Sequence, residues 1–168
     1  MKLLIILFKN EKIDRKDLIE PLINYLKEHL NFQVEQIEID FPQVEKRDNQ
    51  YLAQSFIEKI AFQRKKTEND FALALTEKDL FMPELNFVFG LAAPQQKTAI
   101  ISIQRLKSED TTLFLERTIK EAVHELGHLL GLEHCPNPKC VMHFSNSLKD
   151  TDIKGKEYCD KCRRVIFQ

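Results

Sequence analysis

The segment 123–162 constrains this chain more than any other, because it holds four of the five histidines and all four cysteines. It begins with His124, Glu125 and His128, an H-E-x-x-H pattern. Residues four apart share one face of a helix, so both imidazoles can bind one zinc ion. Glu125 is then the expected general base for hydrolysis by a zinc-activated water. Taken alone, the pattern also fits an ordinary amphipathic helix with two surface histidines.

A glycine and a third histidine extend this pattern to H-E-x-x-H-x-x-G-x-x-H. If the helix continued, His134 would point roughly 240° away from His128 and lie ~9 Å further along the axis. Gly131 can end the helix, because glycine accepts positive φ without a Cβ clash. The chain can then return His134 as a third ligand. Three nitrogens leave one tetrahedral position for water, as in a catalytic zinc site.

The four cysteines form a second pattern, C-x4-C-x18-C-x2-C, at Cys135, Cys140, Cys159 and Cys162. Two close pairs separated by a loop favour a structural four-cysteine zinc, which makes two zinc ions per chain. Two disulfides would need an oxidising compartment. A redox role for the last pair is disfavoured, because it does not follow a strand in a βαβ unit. Since residues 146–157 are polar, zinc–thiolate bonds are expected to clamp the segment 136–158.

Together these residues resemble the archaemetzincin signature, H-E-x-x-H-x-x-G-x-x-H-C, then C-x-M, then C-x-x-C. Archaemetzincins are metzincin-clan zinc metallopeptidases, and the likeness covers about the last quarter of the chain, with a further match at LNFVFG. It implies a catalytic zinc on the three histidines, Glu125 as general base and a second zinc on the four cysteines. It also implies that Met142 lies in the Met-turn below the catalytic metal. Without the resemblance, a methionine beside Val141 is an ordinary core residue.

Upstream, the apolar periodicity predicts alternating strands and helices, and hence a mostly parallel sheet. The predicted strands are 3–8, 32–41, 71–75 and 98–103, and the predicted helices are 14–30, 48–65 and 113–132. The expected class is α/β (α+β), a metzincin-like catalytic domain with a mixed twisted sheet, an antiparallel edge strand and an active-site helix. We expect one domain over 1–168, in which 1–133 carries the sheet and 134–168 is the zinc-clamped C-terminal part.

Residues 85–89, within the apolar segment 79–91, are expected to border the substrate. Pro83 excludes a central strand at that point. The residues after it fit either a core strand or an edge strand lining a cleft. The metzincin resemblance favours the edge strand, which borders the substrate groove in that clan, and a peptide would pair with it as an added strand. The expected substrate-binding residues are Leu85, Asn86, Phe87, Val88 and Phe89.

Composition and net charge limit the classes of partner that this chain is expected to bind. The 168 residues carry a net charge of −1, and without a basic block the chain is not expected to bind nucleic acid or membrane. The N-terminal apolar run is shorter than a signal peptide requires, so a cytoplasmic location is expected. The expected partner is a peptide or protein substrate, and a monomer is favoured. The alternative function is a zinc-binding protein of the same fold that binds peptides or proteins with little or no proteolysis.

Overall fold

A computed structural model describes residues 1–166 and contains two β-sheets. The main sheet has the order β2-β1-β5-β9-β8, and the smaller sheet has the order β3-β4-β6-β7. In the main sheet the first four strands run parallel, and β8 pairs with β9 in the antiparallel direction. The strands are β1 (Lys2–Phe8), β2 (Gln33–Ile39), β3 (Lys46–Arg47), β4 (Gln50–Leu52), β5 (Phe71–Thr76), β6 (Asp79–Met82), β7 (Leu85–Val88), β8 (Gly90–Ala93) and β9 (Thr98–Ser102).

The helices cover both faces of the main sheet, as the alternating pattern predicts. They are α1 (Glu20–Leu30), α2 (Gln54–Lys66), α3 (Thr111–Leu129), α4 (Leu148–Ile153) and α5 (Asp160–Ile166). A π-helical turn, Arg15–Ile19, precedes α1 and is capped by Asp14. Pro21 lies in the first turn of α1, where its missing N–H is tolerated.

The inner parallel strands β1, β5 and β9 are buried on both faces, so their side chains supply two separate cores. Along β1, Leu3 and Ile5 pack with α1 and α3, whereas Leu4 and Ile6 pack with α2. This alternation follows from the two-residue period of a strand. The mixed sheet with an antiparallel edge strand is confirmed, and α3 crosses it on the α1 side.

The prediction of one helix over 48–65 is wrong at its start. Residues 46–52 form a hairpin instead, with Lys46 opposite Tyr51 and Arg47 opposite Gln50. Asp48 has a φ of 53°, a left-handed conformation that Asp tolerates in tight turns. The side chains of this segment therefore alternate with the two-residue period of paired strands, and α2 begins only at Gln54.

The segment predicted as apolar, 79–91, also differs from its prediction. Leu85–Val88 is an edge strand, but it belongs to the smaller sheet and pairs with β6. The antiparallel edge of the main sheet is the next strand, β8 (Gly90–Ala93). The apolar run therefore contains three short strands in two sheets, which periodicity over so few residues does not resolve.

The segment 136–158, predicted as a polar segment clamped by cysteines, contains the short helix α4. Ser147 caps α4 by accepting a hydrogen bond from the Asp150 backbone N–H. Thr151 and Lys154 are buried, so this segment is also held by its own side chains. The last two residues of the predicted part 134–168 lie outside the described residues. No helix within residues 1–166 is long and apolar enough to cross a membrane.

Candidate metal centres

Helix α3 carries the H-E-x-x-H residues and ends where the glycine predicts. Asp110 caps its start by accepting hydrogen bonds from the backbone N–H groups of Thr112 and Leu113. At its end, Gly131 has a φ of 92°, and the Leu132 N–H donates to the Gly127 carbonyl over 2.9 Å. This is a Schellman cap. It stops the helix and redirects the chain toward His134.

The three histidines come together as predicted. The donor nitrogens of His124, His128 and His134 lie within 4.8 Å of one another. His124 is buried, His128 is half-buried and His134 is exposed. The group therefore lies at the wall of a cavity and faces an open side.

The hydrogen bonds of the first two rings assign their protons. Nδ1 of His124 lies 2.8 Å from the Val141 carbonyl, and Nδ1 of His128 lies 2.8 Å from the Leu132 carbonyl. A carbonyl only accepts, so each Nδ1 carries the proton and each Nε2 presents a lone pair. The two Nε2 atoms face each other at 3.2 Å. Two lone pairs at that distance repel unless a cation lies between them, so the donor set fits a zinc ion.

Burial keeps these rings in the form that binds metals. It is the largest cause that lowers the pKa of His124, to about 2, and the charge of Lys154 is the next. Burial also lowers the pKa of His128, and the partial covering of the more exposed His134 ring lowers its pKa as well. Neutral imidazole is the metal-binding form, so no proton competes strongly for these nitrogens near neutral pH.

Glu125 lies between the histidines on α3, against the first residue of β8. Burial, and then the charge of Glu121, raise the pKa of Glu125 to about 8. A Cβ added to Gly90 would lie 2.7 Å from Oε1 of Glu125 and 2.9 Å from its Cδ. The carboxyl group therefore occupies space that exists only because residue 90 has no side chain.

The four cysteines form the second cluster, and their thiols are free. Their sulfur atoms lie within 4.8 Å of one another. The sulfur atoms of Cys135 and Cys159 are 3.8 Å apart, as are those of Cys140 and Cys162. Zinc–sulfur bonds of about 2.3 Å in tetrahedral geometry place sulfurs about 3.8 Å apart. The cluster therefore fits a four-thiolate zinc and not two disulfides.

The acidity of the thiols differs within this cluster. The backbone N–H of Cys162 is the main cause that lowers the pKa of Cys159, to about 7. Burial raises the pKa of the Cys140 and Cys162 thiols. Buried thiols of that kind become thiolates when a cation compensates their charge, which agrees with a metal held by all four.

Met142 connects the two clusters, two residues after Cys140. It is fully buried, and a Cβ at Gly127 on α3 would collide with its sulfur. The Met142 carbonyl accepts a hydrogen bond of 2.9 Å from the Cys135 N–H. The turn that carries Met142 therefore packs directly against α3.

A cavity of about 1330 Å³ contains the histidine cluster. On one side it is lined by Leu85, Phe87, Val88 and Phe89 from the predicted substrate-binding segment. Asn86 is not among its described lining residues; its carbonyl accepts hydrogen bonds from Arg47 and Gln50. The strand β8 and Phe144 complete the wall near the histidines.

Comparison with known proteins identifies the family. The model of peptidase family M54 matches residues 19–168. The chain belongs to this family of archaemetzincins. It is 52% identical to the archaemetzincin of Pyrococcus abyssi over 123 residues, which is 70% of this chain and 65% of that relative. The match therefore spans just under two thirds of the Pyrococcus protein.

Other archaemetzincins match the chain along almost its full length. The Methanopyrus kandleri protein is 35% identical over 99% of this chain and 95% of its own sequence. Its crystal structure superimposes on this chain with a TM-score of 0.89. The alignment covers 100% of this chain and 96% of the Methanopyrus kandleri chain. The Archaeoglobus fulgidus archaemetzincin, crystallised with malonate, is 33% identical with a TM-score of 0.85, and covers 99% of this chain and 100% of that one.

The sequence interpretation did not identify two features of the archaemetzincin cavity. The first is β8, which continues directly from the predicted segment. The second is a buried ion pair between Lys154 and Glu121, whose atoms lie 3.1 Å apart. Glu121 precedes His124 by three residues, which was a detectable signal. Nothing in the local sequence around Lys154 indicates that its side chain reaches α3.

Proposed function

We propose that this chain is a zinc-dependent peptidase with one catalytic and one structural zinc. His124, His128 and His134 would hold the catalytic ion, and the four cysteines the structural one. The observation that carries the proposal is the pair of Nε2 atoms of His124 and His128, which face each other at 3.2 Å beside a buried glutamate in the same cavity. Membership of a peptidase family supports the same reaction class.

The residues around the histidines supply proton transfer and positioning. A zinc ion held by the three histidines would supply an activated water, with a pKa of about 7, and a Lewis acid for the peptide carbonyl. The positive charge of a bound zinc would keep the Glu125 carboxyl group ionised, and the carboxylate would then accept the proton of the attacking water and pass it to the leaving amine. The Val141 and Leu132 carbonyls keep the rings of His124 and His128 in one tautomer and one orientation.

The substrate would bind as an extended peptide along the edge of β8. This strand ends the main sheet, and Gly90 at its start lies against Glu125. The earlier candidates Leu85, Phe87, Val88 and Phe89 would contact substrate side chains as an apolar wall. Asn86 would fix the wall through its backbone, since Arg47 and Gln50 bind its carbonyl.

The test combines metal analysis with cleavage of a diverse peptide library. The parent protein should contain two zinc ions per chain and cleave peptides. Glu125→Gln should keep both ions, because the residue is a base and not a ligand, while the rate falls by roughly 10²–10⁴. Loss of one zinc from that variant would contradict the role of Glu125. Two zincs and no cleavage by any preparation would favour the alternative, a zinc protein that binds peptides without efficient turnover.

A further inference from the structure

A carboxylate that is not part of the histidine cluster lies one helical turn before it. Glu121 and His124 are spaced i, i+3 on α3, so their side chains share a face. Glu-x-x-His on one helix is a spacing that metal-binding bundles use to hold an ion. The Glu121 side chain is 3% exposed and lines the same cavity as the histidines.

Two partners hold the Glu121 carboxylate. Its Oε1 lies 3.1 Å from Nζ of Lys154 and accepts a hydrogen bond of 3.3 Å from the Thr151 hydroxyl. The Lys154 side chain is 0% exposed, and its Nζ also lies 3.5 Å from the His143 carbonyl. The donor group of mutually close atoms consists of His124, His128 and His134, without Glu121.

Stability alone does not explain this ion pair. Removing two charges from water costs several kcal/mol per ion, and a well-packed apolar pair is often as stable or more so. Lys154 is the sole lysine or arginine among the described residues that line the cavity, whereas four glutamates line it. A freed Glu121 carboxylate in this place would have one strong partner within the cavity, the metal cation.

We propose that Lys154 is a positioning residue that, with Thr151, keeps Glu121 from becoming a fourth protein ligand of the histidine site. The site then retains three neutral histidines and one exchangeable position. A carboxylate in that position would exclude the water and reduce the positive charge at the metal. This inference rests on the proposed function, but it concerns ligand exchange and not turnover.

The test uses the full chain with zinc in the cysteine cluster and Co²⁺ in the histidine cluster. His128→Ala, loaded in the same way, provides the background spectrum of the cysteine cluster. Imidazole, a neutral probe, is titrated while the visible Co²⁺ spectrum is recorded. The parent should bind imidazole at the exchangeable position. Lys154→Met should bind it at least about tenfold more weakly, in the range that changes around ligating residues produce.

A second-site variant separates positioning from damage to the fold. Lys154→Met combined with Glu121→Gln should restore the parental affinity for imidazole, because the competing carboxylate is gone. Parental imidazole binding by Lys154→Met would overturn the proposal, as would failure of the double variant to restore it.

The proposal can also be tested if the Lys154→Met variant does not fold. If Lys154→Met does not fold, Lys154→Gln is titrated in the same way and should show the same weakening. If neither folds while the double variant does, the pair serves folding only and the proposal is wrong. A parent chain that binds no Co²⁺ at the histidines would contradict the proposed function, and not this inference alone.

Discussion

The histidine cluster and the cysteine cluster differ in their access to the cavity. The histidines range from buried to exposed and line a cavity of about 1330 Å³. Three of the four cysteines are buried and the fourth is half-buried, and none is among the residues lining that cavity. A metal site with three protein ligands and access to a cavity is typical of catalysis, whereas a buried site with four protein ligands is typical of stabilising the fold.

The two clusters are nevertheless joined through the backbone. His134 and Cys135 are neighbours, and Met142 follows Cys140 by two residues. The Tyr158 hydroxyl, next to Cys159, donates to the Val123 carbonyl on α3 over 2.8 Å. The cysteine cluster therefore anchors His134 and Met142 next to the histidine cluster. Loss of the cysteine site should weaken the histidine site, whereas loss of the histidine site should leave the cysteine site largely intact.

The largest effect is expected from Cys162→Ser. A structural zinc contributes about 10–16 kcal/mol of binding free energy in small zinc-finger peptides, and that energy is folding energy. Losing one thiolate should release the metal, loosen residues 135–142 and 157–166, and weaken the histidine site through His134 and Met142. Hydrogen exchange measures this loosening.

His134→Ala is the matched control for that experiment. It should empty the histidine site while the C-terminal region stays protected, because the cysteines are intact. In Cys162→Ser, α4 should lose less protection than its flanks, since Arg117 binds Asp152 through two contacts of 2.7 Å. Parental protection of residues 140–162 in Cys162→Ser would refute the structural role of the second metal.

The next effect is expected from His128→Ala, which removes a central ligand of the histidine site. Metal content should fall from two zincs to one and hydrolysis should stop, because no ligand is shared with the cysteines. The shift in melting temperature should be smaller than for Cys162→Ser, because α3 packs through buried residues such as Leu126 and Val123. Loss of both metals together would show that the sites are not independent.

Gly90→Ala should affect turnover without affecting either metal. The new Cβ would lie within 2.9 Å of three side-chain atoms of Glu125. The flexible carboxyl end would move in preference to the backbone. A displacement of about 1 Å can cost 10²-fold in rate, so kcat/KM should fall by about that factor. Ala92→Gly changes the same strand without adding an atom near Glu125, and it should stay near the parental rate.

The smallest effect is expected from Asp152→Asn, which weakens the docking of α4 on α3. The hydrogen bond from Arg117 is the main cause that lowers the pKa of Asp152 below its ordinary value of 3.8. Because the Asp152 side chain is 37% exposed, solvent screening limits the loss to about 1 kcal/mol.

The dependence of stability on pH tests whether the charge of Asp152 is responsible for this effect. A carboxylate whose pKa is lowered by folding stabilises the protein above its ordinary pKa and loses that contribution as the pH falls through the folded value. The difference in unfolding free energy between the parent and Asp152→Asn should therefore be present at pH 6 and shrink below about pH 4. A difference that does not change between these values would show that the charge of Asp152 is not its cause.

The local spacings determined both donor sets. An i, i+4 pair places His124 and His128 on one face of any helix, and Gly131 supplies the positive φ that ends it. These constraints act over a few residues, so they can be read without knowing the fold. The paired cysteines are local in the same sense, and the parallel sheet follows from alternating periodicities.

Contacts between distant segments decided the rest. β8, not β7, is the antiparallel edge of the main sheet, because pairing with β9 is selected by tertiary packing and not by the side chains of four residues. Residues 46–52 form a hairpin, and its second strand pairs with β6. The approach of Gly90 to Glu125, and of Lys154 to Glu121, requires α3 to be packed against both the sheet and the C-terminal part. The sequence alone determined which atoms can bind the metals, and the tertiary structure determined which groups surround them.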